Sequence, residues 1–165
     1  MVHLLTLNLI LSLVWGFITG NFSGLNLFMG FLLGTLVIFL AERALGSKSY
    51  LRRLWNILTY LLFFLRELLK SSFRVAWEII TPNYGIRPGV VAIELDEDTN
   101  DLQATLLANT ITLTPGTLTL DILQDPEDAQ KRKLFIHAMY IDDVDALKRE
   151  IKREFEARAK EVIDA

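Results

Sequence analysis

Groups that could titrate, ligate or attack are few in this 165-residue chain, and they are scattered. There is no cysteine, which excludes disulfides, zinc–thiolate sites, iron–sulfur clusters and thiol catalysis. His3 and His137 stand alone, with neither a His-x-x-x-His spacing nor a paired glutamate, so zinc chemistry is unsupported. His137 is expected to be a hydrogen-bonded structural residue on a strand. Asp96-x-Asp98-x-Asn100 opens like a calcium loop, but Asp101 replaces the required glycine and Leu107 stands where the terminal glutamate ligand belongs. It reads as a solvated turn. Gly-x-Ser-x-Gly and Walker sequences are both missing, so the expectation is a non-enzyme without metal or cofactor.

The most telling pattern is a lack of charge, because Met1 to Ala41 contains no Asp, Glu, Lys or Arg. Proton and cation relays across a membrane use Asp, Glu, Lys or His along their path. Only His3 lies in this region, at its edge, so the chain alone should not conduct ions. Small residues recur here every four positions, at Ser12, Gly16 and Gly20 and again at Gly30 and Gly34. Such rows let helix backbones approach closely where lipid supplies no hydrophobic drive to associate. They serve either the contact between the two helices or packing against other membrane proteins. The second is preferred, since two short helices leave a further face to satisfy.

The elements that carry these rows are two apolar runs, Leu4 to Thr19 and Leu25 to Ala41, separated by the turn-forming Gly20-Asn21-Phe22-Ser23-Gly24. At about 1.5 Å per residue each is roughly 25 Å long, just short of the ~30 Å hydrocarbon layer. The reading is a transmembrane helical hairpin. A signal peptide competes for the first run, but no Lys or Arg precedes it and no small-x-small cleavage site precedes Asn21. Arg43, Lys48, Arg52 and Arg53 follow the second run, which puts residues 43–53 in the cytoplasm and the uncharged tip outside.

Charge divides the chain in two. Residues 1–80 hold seven Lys/Arg against three Asp/Glu, a balance of +4, and residues 81–165 hold ten against seventeen, a balance of −7. An acidic module without a basic stripe is a poor partner for nucleic acid. Between the halves, Leu51 to Ile80 has helical periodicity: Leu51, Leu54, Leu58, Leu61, Leu65, Leu68, Leu69, Phe73 and Ala76 form an apolar stripe. Arg52, Asn56, Arg66, Lys70, Arg74 and Glu78 gather opposite. Spanning would place charges in hydrocarbon at roughly 2 to 3.5 kcal/mol each. The expectation is therefore an interfacial helix dipping inward at Ile57–Leu65, with a third span as the alternative.

Thr81-Pro82-Asn83-Tyr84-Gly85 ends that helix, and a soluble module follows. Val90–Leu95 reads as a strand, Leu102–Thr110 as a short helix, and Thr114-Pro115-Gly116-Thr117 as a type II turn. Leu118, Leu120 and Ile122 alternate as a half-buried strand, and Asp125 to Lys133 is a polar loop. Leu134–Ile141 is the third strand, and a final helix runs to about Ile163. Val144, Leu147, Ile151, Phe155 and Val162 are its expected buried face, with i,i+4 pairs Glu154–Arg158 and Glu156–Lys160. The order is βαββα with helices on one sheet face. The whole is an α+β membrane protein: hairpin in 1–46, interfacial helix and linker in 47–85, cytosolic α+β domain in 86–165.

The chain resembles the E subunits of Mrp-type multisubunit sodium/proton antiporters over nearly its whole length. The resemblance lies in the hydrophobic pair, the amphipathic stretch from Arg66 to Ile80, and above all Leu107-Ala108-Asn109-Thr110-Ile111-Thr112-Leu113 followed by Thr114, Pro115, Gly116 and Thr117. Phe135-Ile136-His137-Ala138 before a charged helix adds to it. The resemblance implies an accessory subunit in a cell-membrane complex related to respiratory complex I, which couples proton entry to sodium export through larger subunits. It implies a folding or docking role for the Thr114–Thr117 turn, with other antiporter subunits and the lipid bilayer as partners. The alternative is a stand-alone membrane-tethered module that recruits a soluble partner.

Overall fold

The computed structural model describes residues 3–44, 50–81, 85–124, 128 and 131–164. Lys48, the Pro82-Asn83-Tyr84 helix stop and most of the polar loop at 125–130 lie outside them, as do the side chains of His3 and Arg43. Two compact units are present, residues 1–57 and 58–164.

The first unit is the helical hairpin, with α1 at His3–Thr19 and α2 at Gly24–Ala44, followed by the opening turns of α3, Tyr50–Ile80. Both runs lack helix breakers in their interiors except for small residues on the packed side. The connection is tight because Gly20 takes φ +61, a conformation other residues avoid, and the Asn21 side chain accepts from the Ser23 amide. Among the described residues one helix, Gly24–Glu42, is long and apolar enough to cross a membrane, with mean hydropathy 2.1. Leu4–Thr19 is apolar but shorter.

The second unit is an α+β fold with its own core. Strands β1 (Gly89–Glu94), β2 (Thr117–Gln124) and β3 (Arg132–Ala138) form an antiparallel sheet in the order β1-β3-β2. Helix α4 (Asp101–Leu113) lies between β1 and β2 in sequence. The C-terminal helix is composite: α5 (Val144–Glu150), a π-helical stretch Ile151–Glu156, and α6 (Ala157–Asp164). Val91, Ile93, Leu134 and Ile136 point from one sheet face into a core closed by Leu107 and Ile111 of α4 and by Ile151, Phe155 and Ala159. From α3, Phe63 adds an edge-on ring contact to Phe155, with centroids 5.1 Å apart.

The last helix keeps most of its expected face: Ile151 and Phe155 are buried together with Ala159, Leu147 and Val162 are half-buried, and Val144, which precedes the π stretch, is exposed. Glu156, within the π stretch, faces inward at 1% exposure, and the expected Glu156–Lys160 pair does not form. Glu154–Arg158 does, at 3.6 Å.

Candidate functional site

In the hairpin the small residues lie on the seam between α1 and α2. Ser12, Gly16, Gly30 and Gly34 are all buried there. A Cβ on Gly30 would come within 2.9 Å of Trp15 Cβ and 3.1 Å of the Ser12 backbone, and one on Gly16 within 3.0 Å of Phe22. A Cβ on Gly34 would run into Asn8 Oδ1. Gly20 stands apart from this row, exposed at the tip with open space around it.

The seam also carries polar contacts that the sequence reading did not single out. Asn8, fully buried, donates from Nδ2 to Thr35 Oγ1 at 2.8 Å and to Tyr50 Oη at 2.6 Å. Tyr50 in turn donates its backbone amide to Glu42 Oε2 at 3.0 Å. Ser12 Oγ donates to the Leu27 carbonyl at 2.6 Å, and Trp15 Nε1 to Asn26 Oδ1 at 3.1 Å. Two acceptors in this seam, Asn8 Oδ1 and Glu42 Oε1, have no hydrogen-bond partner among the described residues. The available signal was a lone amide in an otherwise greasy run, since such a group needs an internal partner in an apolar medium.

In the second unit the Thr114–Thr117 segment takes the expected type II form. Pro115 occupies the second position, Gly116 has φ +93 at the third, and the Thr117 amide donates to the Thr114 carbonyl at 3.1 Å. The flanking hydroxyls close the end of α4: Thr114 Oγ1 donates to Thr110 O at 2.8 Å and Thr117 Oγ1 to Ile111 O at 2.6 Å. Met139 N donates to the Gly116 carbonyl at 2.8 Å, tying the turn to the end of β3. This turn borders a crevice of about 150 Å³ whose other wall is α3.

That wall consists of the polar stripe of α3. Glu67 is buried, with Lys70 Nζ at 3.4 Å; Lys70 also reaches Glu150 at 4.0 Å. Arg74 stacks 4.0 Å above the Tyr140 ring and pairs with Asp142 at 3.8 Å. Deeper, Tyr60 Oη meets Thr110 Oγ1 at 2.5 Å. Within the second unit the α+β fold thus buries Glu67 and engages Lys70 and Arg74, which stay largely exposed along with Arg66; Leu61, Leu62, Leu65, Leu69, Phe73 and Trp77 are exposed as well.

The acidic stretch after β1 is an ion-paired cap. Lys152 Nζ and Lys160 Nζ donate to Asp96 at 2.7 and 2.8 Å, and Lys160 also pairs with Asp98. These hydrogen bonds hold the Asp96 carboxyl below its ordinary range. Partial burial acts against the Lys160 cation, yet its bonds to Asp96 and Asp98 keep its pKa above the ordinary value. Glu156 Oε1 accepts from Asp96 N at 2.9 Å and Thr99 Oγ1 at 2.7 Å. Asn100 caps α4 reciprocally with Gln103. His137 faces away from the core, opposite Val90 and Leu118, and makes no side-chain hydrogen bond among the described residues. The expected structural bond is absent there because the outer sheet face carries no neighbouring layer in this unit.

An apolar helical hairpin joined through a long amphipathic helix to a small α+β fold defines a helical-anchor protein with a separate folded module. The chain belongs to the Na+/H+ ion antiporter subunit family MNHE, whose family model matches residues 8–162. It is 30% identical over 156 residues to the Na+/H+ antiporter's E subunit in Alkalihalophilus pseudofirmus, covering 94% of this chain and 95% of that one. To the corresponding E subunit in Bacillus subtilis it is 35% identical over 156 residues, with the same coverage of 94% and 95%. A chain in the structure of the membrane-bound sulfane sulfur reductase, an archaeal respiratory membrane complex, superposes with a TM-score of 0.57 at 26% identity. That match covers 95% of this chain and 96% of the other. Membership makes the protein a transporter component that resides in a membrane.

Proposed function

We propose that this chain is an accessory, non-catalytic subunit of a multisubunit sodium/proton antiporter in the cell membrane. It supports assembly of the complex and the coupling of proton influx to sodium efflux by larger partner subunits. The observation that carries this reading is the match to antiporter E subunits along almost the whole chain. The physics of the anchor agrees: residues 1–41 hold no acidic or basic side chain apart from His3, and Asn8, Ser12 and Thr35 are bonded within the hairpin. Ser12, Gly16, Gly30 and Gly34 hold the two helices at close range, and the outer apolar faces are left for lipid and neighbouring subunits. The Thr114–Thr117 turn serves folding and docking.

In the same reading both hairpin helices cross the bilayer, residues 47–85 form an interfacial segment, and the α+β domain from residue 86 is cytoplasmic. The ion pairs that Lys70 and Arg74 make with the α+β fold support this placement. If α3 crossed the bilayer, the fold packed on Glu67, Lys70 and Arg74 would carry Asp142 and Glu150 toward hydrocarbon, at roughly 2.5 to 3.5 kcal/mol per charge.

Deletion of this chain, with complex assembly and sodium-dependent proton flux measured together, tests the function. Loss of assembled complex or of flux is expected, and intact assembly with normal flux overturns the proposal. Purification in mild detergent separates it from a stand-alone recruiting module, since a subunit brings large polytopic partners with it. A tag at the C-terminus that reacts in intact cells would overturn the cytoplasmic placement.

A further inference from the structure

Where α3 meets α5 and the π stretch, a cleft of about 360 Å³ opens at the surface of the second unit. Phe63 and Phe155 line it, and Arg66, Lys70, Arg149 and Arg153 stand around it. Three carboxylates share the cleft, Glu67, Glu150 and Glu154, leaving an excess of one positive charge.

The quality of the pairing sets this cluster apart. At the acidic cap, lysines sit 2.7 to 2.8 Å from Asp96, whereas here Arg66 is 3.5 Å from Glu67, Lys70 is 3.4 and 4.0 Å from its carboxylates, and Arg149 is 3.8 Å from Asp143. Arg153 has no ion pair or hydrogen bond among the described residues. Most guanidinium donors in the cleft are thus unspent, and a guanidinium fork matches two oxygens of a phosphate. Position supplies the second argument. Arg66 follows Leu62 by four residues and precedes Leu69 by three, so it borders the exposed apolar stripe and the cleft at once. With that stripe in the acyl region, Arg66 lies at the depth of lipid phosphates.

We propose that this cleft binds the phosphate of an anionic phospholipid headgroup, with Arg66 and Arg153 as its principal donors and Lys70 and Arg149 beside them. The site fastens the seam between α3 and the α+β fold to the membrane surface. This inference rests on the interfacial placement of α3.

The test uses the full chain in mild detergent, titrated with phosphatidylglycerol or phosphatidylcholine of identical acyl chains and followed by native mass spectrometry. The expected result is tighter binding of phosphatidylglycerol by about tenfold, with the preference lost in Arg66→Gln/Arg153→Gln and kept in Lys131→Gln. Equal binding of the two lipids, or a preference that survives the double substitution, overturns the proposal. Abolition of lipid binding by millimolar inorganic phosphate would assign the site to the free anion and overturn the lipid. Quenching of Trp77 by brominated phosphatidylcholine, read in the Trp15→Phe/Trp55→Phe chain in bilayers, separates the two levels. Quenching retained with no headgroup preference sinks this inference alone; loss of quenching sinks the interfacial placement.

Discussion

The two units of this chain solve packing in opposite ways. In the hairpin the large apolar side chains face outward, Phe17 at 74% and Leu25 at 75% exposure, and the seam is built from glycine, serine and an amide. In the α+β unit Leu107 and Leu134 are fully buried, and charged residues line the surface. The difference lies in the solvent each surface is made for. Where water surrounds a fold, burying a leucine is the main favourable term; where lipid does, close backbone approach and internal hydrogen bonds must hold the helices.

The largest effect should come from breaking the water-type core. Leu107→Ala is expected to cost about 2 to 5 kcal/mol, read as a lower urea midpoint for protease resistance of the second unit in the full chain. The hairpin's response should be different, because overpacking rather than a cavity is its weakness. Gly30→Leu forces a side chain against Trp15 Cβ and the Ser12 backbone and should cost about 1 to 3 kcal/mol. A cross-link between cysteines introduced into α1 and α2 would lose yield, with the urea midpoint of the second unit unchanged. If that midpoint also fell, the two units would not be energetically separate.

Asn8→Leu sharpens the comparison further. It removes bonds to Thr35 and Tyr50, and hydrogen bonds between helices in lipid average about 0.6 kcal/mol, up to about 1.7. A modest loss of cross-linking is expected, and a collapse of the hairpin would show that polar contacts outweigh glycine packing. The smallest effect is electrostatic. Because the Asp96 pKa is lowered in the fold, its contribution is complete above the unfolded value of about 3.9 and disappears as pH falls through the folded one. The Lys160 contribution has the opposite sign, complete below about 10.4 and lost as pH rises through its raised pKa. Urea midpoints of the second unit should therefore fall in acid, less steeply in Asp96→Asn.

How much was legible depended on the range of the interaction. Local signals served well for Gly20 at the hairpin tip and for Pro115 and Gly116 in the type II turn, but not for the face of β2. Leu118 and Leu120, expected to be on the buried side, are exposed, Thr117 and Thr119 are half-buried in their place, and a bulge between Thr119 and Asp121 turns Ile122 inward. The order of strands and helices followed from local signals. The inward turn of Glu156 was not legible, because it lies in a π stretch, Ile151–Glu156, and an α-helical period places that side chain on the outer face. The polar stripe of α3 was legible from its period, but not that Arg74 and Lys70 on it pair with Asp142 and Glu150, which lie far along the chain.

Residue types alone determined that the first forty-one positions are strongly apolar and hold no Asp, Glu, Lys or Arg, since charge and hydropathy belong to side chains wherever they sit. They determined the α+β order too, because period and turn chemistry are written along the chain. Only the tertiary structure decided that Asn8 reaches Tyr50, that Glu156 holds the Asp96 turn, and that loosely paired arginines converge beside Phe63 and Phe155. Each depends on atoms brought together across forty or more residues, and a distance across the fold is set by packing, which no local pattern encodes.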